Sequence, residues 1–350
     1  MAYEIDYIPA GEGEKSGDCV AIRFWDSQIG LSSQKIIVID GGFKDSGEQL
    51  VKHIKDWYKK DFVDVVISTH PDADHASGLS VILENLNVGQ LAMHRPWEHA
   101  LQIKNFFKDG RITASGLEER LEKSLQNASD LEALALKKGI QIVEPFQGIT
   151  GFNGIIHVLG PSKDYYETLL ASFRSTPEPQ KTIGLLANLT KATESVKNII
   201  QDFWHIDILN DEEDTTSAEN NTSTIILFNI DGHKLLFTGD AGKTALSNAV
   251  AYAESKGISL MGMNFLDVPH HGSKRNLNSK ILKKMNATTA FVSASGGNEK
   301  HPAKKVTNAL KKHGAEVYVN RQNPLNFNSN GIDRGWGPAT AEQFHLMVEE

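Results

Sequence analysis

The stretch Thr69-His70-Pro71-Asp72-Ala73-Asp74-His75-Ala76-Ser77-Gly78 constrains this chain more than any other, because four ligand-type side chains fall within six residues directly after an apolar run. That run, Val63-Asp64-Val65-Val66-Ile67-Ser68, is rich in β-branched residues and reads as a buried strand. His70, Asp72, Asp74 and His75 then lie in the turn at the strand's end. Short loops at the ends of adjacent strands can bring such side chains to one edge of a sheet.

The rest of the chain supplies strand ends of the same kind. Apolar runs and glycine turns make the first 42 residues β-rich, and Asp40-Gly41-Gly42 ends one strand as His70 ends the next, with a helix expected over 49–60 between them. Asp40 also reads as an ordinary turn residue. A short helix is expected over 78–85 and a strand over 90–94. From 96 to about 217 helical periodicity takes over, with Leu117, Leu121, Leu125, Leu131, Leu134 and Leu136 among charges. Further helices are expected over 165–173 and 183–200, short strands over 141–143 and 155–159, and a solvated acidic loop over 210–216. His94, Trp97, His99, Trp204 and His205 in or beside this stretch read as core or surface residues. Strands return with a hairpin that ends in Thr238-Gly239-Asp240, followed by a helix over 244–256. A strand over 264–268 runs into Pro269-His270-His271-Gly272-Ser273. Helix 279–285, strand 289–293, a loop reaching His301-Pro302, helix 303–313 and strand 316–319 complete the pattern.

Oxygen and imidazole donors together suit Zn, Mn or Fe, and the single cysteine, Cys19, rules out a thiolate-rich site and a disulfide framework. In His-x-Asp-x-Asp-His, His70 and Asp72 can serve one ion while Asp74 and His75 turn toward a second, with Asp240 bridging. Two ions about 3.5–4 Å apart would activate a shared water and neutralise charge on a phosphoryl or carbonyl oxygen. A capping turn would explain one of these carboxylates, but not two of them between two histidines. A net charge of −8 argues against a surface built throughout to coat nucleic acid. Yet Lys274, Arg275, Lys280, Lys283, Lys284, Lys300, Lys304, Lys305, Lys311 and Lys312 surround the second histidine motif. That run reads either as a phosphate-facing surface or as the solvated face of two helices. The chain's start lacks a basic segment followed by an apolar core, and no apolar run approaches the ~20 residues of a membrane span, so a soluble cytoplasmic protein is expected.

Taken in order, Gly11-Glu12-Gly13, Gly17-Asp18-Cys19, Ile39-Asp40-Gly41-Gly42, His70-Pro71-Asp72-Ala73-Asp74-His75, Phe237-Thr238-Gly239-Asp240, Val268-Pro269-His270-His271-Gly272-Ser273 and His301-Pro302 resemble the metallo-β-lactamase superfamily. Within it they most resemble the metallo-hydrolase domain of ComEC-type DNA-uptake proteins. The resemblance covers the chain to His94 and again from Asn220 to Asn320. It implies an α/β fold, the four-layer αββα sandwich, as one domain over 1–350 with a largely helical insertion over 96–219. It implies His70, Asp72, Asp74, His75 and Asp240 as ligands of Zn²⁺ or Mn²⁺, two ions per chain, with Asp40 orienting a ligand. One histidine of the doublet completes the set: His270 is taken as the ligand, leaving His271 for substrate work. Asp74, His271 and His301 are the candidate catalytic residues, and Lys274, Arg275 and Asn221 the candidate substrate contacts. Two departures stand out: Asp72 replaces the usual second histidine, and Asn220-Asn221-Thr222-Ser223 replaces the intermediate one. A site poorer in nitrogen favours Mn²⁺ or Mg²⁺.

The expected activity is metal-dependent hydrolysis of phosphodiester bonds in a nucleic acid or nucleotide, as a phosphodiesterase or nuclease using a metal-activated water. The alternatives are thioester, lactone or lactam hydrolysis on the same fold, and a degenerate binding protein. The insertion is available as a lid, a dimerisation surface or the seat of a partner protein.

Overall fold

Alternation along the strands decides the layering. In strand β1 (Ala2–Tyr7), Tyr3, Ile5 and Tyr7 enter an apolar layer, while Glu4 and Asp6 point to the opposite face. The same period recurs in β2 (Cys19–Trp25) and β3 (Lys35–Gly41), where Val20, Ile22, Phe24, Ile37 and Ile39 share the layer with β1. The structure is a computed structural model that describes residues 1–180, 199–205, 209 and 214–349.

The later strands are β4 (Phe62–Ile67), β5 (Asn87–Ala92), β6 (Gln141–Val143), β7 (Thr150–Gly151), β8 (Ile156–Gly160), β9 (Ile199–Gln201), β10 (Ile225–Ile230), β11 (His233–Phe237), β12 (Met263–Asp267), β13 (Ala287–Val292), β14 (Glu316–Val319), β15 (Leu325–Asn328) and β16 (Met347–Glu349). They form two seven-stranded sheets, ordered β15-β1-β2-β3-β4-β5-β6 and β14-β13-β12-β11-β10-β8-β7, with β9 and β16 paired apart. Each sheet has antiparallel strands on one side and then parallel ones, β3 to β6 and β11 to β14. Parallel pairing requires crossovers, and helices supply them. α1 (Lys44–His53), α2 (Ala73–Asn85), α3 (Ala114–Ser124), α4 (Gln126–Lys137) and α5 (Lys163–Leu170) precede β10. α6 (Lys243–Ser255), α7 (Ser279–Lys284) and α8 (Lys304–Lys312) follow β11.

Three apolar clusters define four layers. One lies between the sheets, with Tyr7, Phe24, Phe228, Phe237, Phe265 and Phe291. A second packs helix residues such as Leu50, Leu79, Leu121 and Leu131 on the outer face of the first sheet, and a third does the same for the second sheet with Leu246, Leu282 and Val306. This is the αββα sandwich. The carboxyl ends of β3, β4, β5, β11, β12 and β13 carry Asp40, His70, His94, Asp240, His270 and Ser293, the place where open α/β sheets bind ligands.

Several expectations shift. α1 begins at Lys44 and runs into a wider turn over Ile54–Tyr58, earlier than the helix expected over 49–60. α2 begins at Ala73, so Asp74 and His75 lie in its first turn rather than in a loop before it. The stretch 96–219 supplies β6 to one sheet and β7 and β8 to the other, so both sheets draw on it. The helix expected over 183–200 lies outside the described residues except for its end, which is in β9, and most of the acidic stretch 210–216 lies outside them too. Among the described residues no helix is long and apolar enough to cross a membrane.

Two features fix how the helix layer seats. Gly78 N donates to Gly42 O at 2.9 Å, and a Cβ on Gly78 would lie 2.0 Å from Gly41 O, so only glycine lets α2 approach the end of β3 this closely. At the far side of the sheet, Glu4, Asp6 and Arg23 are buried under the helix layer. Asp6 accepts from Tyr58 OH at 2.6 Å, His53 Nε2 at 2.9 Å, Asn326 Nδ2 at 2.6 Å and Arg334 Nη2 at 3.1 Å, while Arg334 also pairs with Glu4. The chain beyond β15 is thereby tied to β1. Burial pushes the Asp6 carboxyl up, but His53 and Arg334 outweigh it and hold it at about 2.

Asp6→Asn leaves Arg334 short of one buried partner and should cost about 3 kcal/mol in urea unfolding at neutral pH. Because the folded carboxyl titrates below its ordinary 3.8, this stabilisation is present above that value and is lost as pH falls toward about 2. The gap between the wild type and Asp6→Asn should therefore close across that acid window; a gap independent of pH would contradict the ion-pair account.

Candidate metal centre

Four imidazoles and one carboxylate form the centre. Asp240 is 2 % exposed and follows β11 through Gly239, whose φ of 49° places it in the left-handed region and where a Cβ would meet Thr69 Oγ1 at 2.9 Å. Its Oδ1 lies 3.3 Å from His75 Nε2 and 3.9 Å from His271 Nε2. Its Oδ2 lies 3.8 Å from His70 Nε2 and 3.6 Å from His270 Nε2. Each carboxylate oxygen thus faces one histidine from the segment that joins β4 to the first turn of α2 and one from the turn after β12.

All four rings are oriented in the same way. His75 Nδ1 donates to Asp40 Oδ2 at 2.8 Å, and His271 Nδ1 to Ser293 O at 2.9 Å. His270 Nδ1 donates to Asn276 Oδ1 at 3.1 Å, and His70 Nδ1 meets Thr69 Oγ1 at 3.0 Å, which itself donates to Asp40 Oδ2 at 2.7 Å. These acceptors place the proton on Nδ1 and leave the Nε2 lone pair facing Asp240. The Nε2 atoms of His70, His75 and His271 and Oδ1 of Asp240 are buried and have no hydrogen-bond partner. Buried polar atoms are almost always satisfied, so a convergent set of orphans calls for a guest. Imidazole nitrogens and hard carboxylate oxygens fit a divalent cation such as zinc or manganese.

Charge supports the same reading. Burial disfavours the charged form of His75 and His271, yet Asp240 with Asp40, Asp18 and Asp74 outweighs it and pushes both well above the ordinary imidazole value. Burial raises the Asp74 carboxyl, but His271 and His75 hold it at about 2. The pocket demands positive charge, which protons or a cation can supply.

The structure sorts the expected residues. Groups with convergent ligand atoms are His70, His75 and Asp240; Asp74, His75 and His271; Asp18, Asp240 and His271; and Asp18, Asp40 and His75. Asp40 is wholly buried and accepts from Thr69 N at 2.8 Å as well as from Thr69 Oγ1 and His75, as suits an orienting acid. Asp72 is not among them: its carboxylate faces Arg174 Nη2 at 3.2 Å. His271, not His270, joins these groups. His270 is more exposed, with its ring 5.8 Å from that of His301. Asn221 turns away, its Oδ1 accepting from Gly242 N at 3.2 Å, whereas Asn220 Nδ2 donates to Asp240 Oδ2 at 2.9 Å. Lys274 is half-buried and Arg275 exposed, directly after the histidine turn. Part of the expected lysine surface is committed elsewhere: Lys284 pairs with Glu254 at 3.0 Å and Lys312 with Asp202 at 2.6 Å, and Lys305 is buried.

Sequence reading quoted Asp18 within Gly17-Asp18-Cys19 but did not place it among the site residues. It is 6 % exposed and lies behind two rings, 3.5 Å from His271 Nδ1 and 3.7 Å from His75 Nδ1. The glycine before it is required by packing, since a Cβ on Gly17 would lie 2.3 Å from Asp74 O. Arg174 and Asn276 gave no signal in the sequence.

Asp40→Asn keeps the shape but weakens the acceptor for His75 and Thr69. It should lower Zn²⁺ or Mn²⁺ affinity by roughly 10–100-fold in a calorimetric titration, the usual cost of losing an outer partner of a ligand. Unchanged affinity would mean that Asp40 does not orient the cation site.

Residues 19–130 match the family model described as the metallo-beta-lactamase superfamily. Among solved structures, a diphosphatase from the PhnP family is similar at 11% identity, with 94% of this chain and 98% of that chain covered and a TM-score of 0.40. A putative metallo-beta-lactamase from Thermotoga maritima is similar at 12% identity, covering 69% and 79%, with a TM-score of 0.34. A long form RNase Z from yeast is similar at 13% identity, covering 84% of this chain and 37% of that one, with a TM-score of 0.34. No curated protein matches. Through residues 19–130, which hold Asp40, His70, Asp74 and His75, this chain is similar to the metallo-beta-lactamase superfamily.

Proposed function

We propose that this chain is a metal-dependent hydrolase acting on phosphodiester bonds in a nucleic acid or nucleotide. The observation that carries the metal reading is the common orientation of four imidazoles, each with Nδ1 engaged by the protein and Nε2 turned to one buried carboxylate. When bound, zinc or manganese would lower the pKa of water and neutralise charge on the phosphoryl oxygens. Asp74, His75, His271 and Asp240 Oδ1 would hold one ion; His70, His270 and Asp240 Oδ2 are the donors on the other side. The chain works as one domain, within which 96–219 brings Arg174 to the centre beside Asp72.

An anionic substrate suits the cations near this edge: Lys274 and Arg275 directly follow the histidine turn, and Arg174 lies between Asp72 and Glu219. His301 is half-buried, and its Nδ1 has no partner. Burial together with His270 and His271 lowers its pKa to about 3, so it stays neutral and can offer a ring N–H to a phosphoryl oxygen.

The test is hydrolysis of bis(p-nitrophenyl) phosphate with Mn²⁺ or Zn²⁺, beside an aryl thioester and a lactone. Wild type should cleave the phosphodiester. Asp240→Asn should lose more than the roughly 10–100-fold that an outer partner is worth. Activity that survives Asp240→Asn, or a clear preference for the acyl substrates, would sink the phosphodiesterase assignment.

A further inference from the structure

The loop between β1 and β2 belongs to the first sheet, whereas His301 lies on the loop after β13 in the second. The two loops are fastened together. Ser295 N donates to Ser16 Oγ at 3.0 Å, and Ser295 Oγ to Gly13 O. Asn298 Nδ2 donates to Glu14 O at 2.9 Å and to Ser16 Oγ at 3.0 Å. On its other side, Asn298 Oδ1 accepts from Lys300 N at 2.9 Å and from His301 N at 3.0 Å. Gly297 packs so closely that a Cβ there would lie 2.9 Å from Gly13 Cα. Two residues after Ser16, Asp18 reaches the Nδ1 atoms of His75 and His271.

We propose that Asn298 is a positioning residue that, clasped to Ser16 and Glu14 of the opposite sheet's loop, fixes where His301 meets the substrate. This rests on the reading above, in which His301 contacts a phosphoryl oxygen. The amide uses both donors on one loop and both acceptor directions on the other, and no other residue type of its size does both. Aspartate keeps the acceptors for Lys300 and His301 but loses the donors to Glu14 and Ser16. Alanine loses both sets.

Two measurements on the full chain test it. In hydrogen exchange, Asn298→Ala should raise the exchange of the His301 amide and of residues 13–17 together. Asn298→Asp should loosen 13–17 while sparing His301, and Ser16→Ala, which retains the turn at His301, serves if the alanine variant fails to fold. An unchanged His301 amide in Asn298→Ala, or loosening confined to 298–301, overturns the clasp. In hydrolysis of bis(p-nitrophenyl) phosphate, Asn298→Ala should lower kcat by roughly 10–100-fold, the scale of an ångström-sized misplacement, with bound metal unchanged. In a His301→Ala background the same change should have an effect within about twofold, since both act through one group. Additive losses overturn positioning. If His301→Ala itself loses nothing, or the wild type cleaves no phosphodiester, the functional reading of His301 fails, and hydrogen exchange still decides whether Asn298 fixes its place.

Discussion

The Asp240 carboxylate, buried among four imidazoles, is the constraint on which the arrangement depends. A buried carboxylate without a partner costs several kcal/mol, so the groups around it must come close and must bring positive charge. The fold meets this demand by presenting strand ends from both sheets at one edge. Gly239 turns the chain out of β11 with no room for a Cβ, and Gly41 and Gly78 let α2 carry His75 to the end of β3. Backbone strain gathers at the same place: Asp40, His270 and His271 have φ of 53°, 50° and 54°. Each such residue costs about 1–3 kcal/mol, which the sandwich core must offset to hold the geometry.

The two oxygens of Asp240 sit in different fields. On the Oδ1 side, Asp74 and Asp18 add negative charge around His75 and His271, and both rings are held above the ordinary value. On the Oδ2 side, Asn220 already donates to the oxygen, Arg174 draws Asp72 outward, and burial holds His270 below the ordinary value. The Oδ1 side therefore carries the stronger demand for positive charge. There the protons on two imidazoles mark the place a metal ion would take, because cation and proton compete for the same lone pairs.

Much of this was legible in the chain. Runs of β-branched residues that stop at His or Asp marked the strand ends, since side-chain period and ligand type are local properties; Asp40, His70, Asp240 and the His270-His271 turn were all found this way. What local pattern could not give was direction. Asp72 and Asp74 look alike in sequence, yet α2 starts between them, so Asp74 turns inward and Asp72 meets an arginine about a hundred residues away. Asn220 and Asn221 differ in the same manner, since one turn of helix sends one amide to Asp240 and the other to Gly242. His270 and His271 face different oxygens of Asp240 because both have positive φ, a turn that residue spacing does not reveal.

Charge runs were ambiguous for a related reason. The lysines after His271 form a dense cluster in sequence, but a cation's partner is set by packing: Glu254 lies in α6 and Asp202 just after β9, both distant along the chain from the lysines they neutralise. Asp18 is the converse case, a single carboxylate with no run around it that becomes central because its loop, on the first sheet, reaches a histidine carried by the second. A site built from loops of two sheets therefore owes its strand-end members to local pattern and its crossing members to topology alone. Asp18 behind the two rings, Arg174 at Asp72 and Asn298 beneath His301 all belong to the second kind.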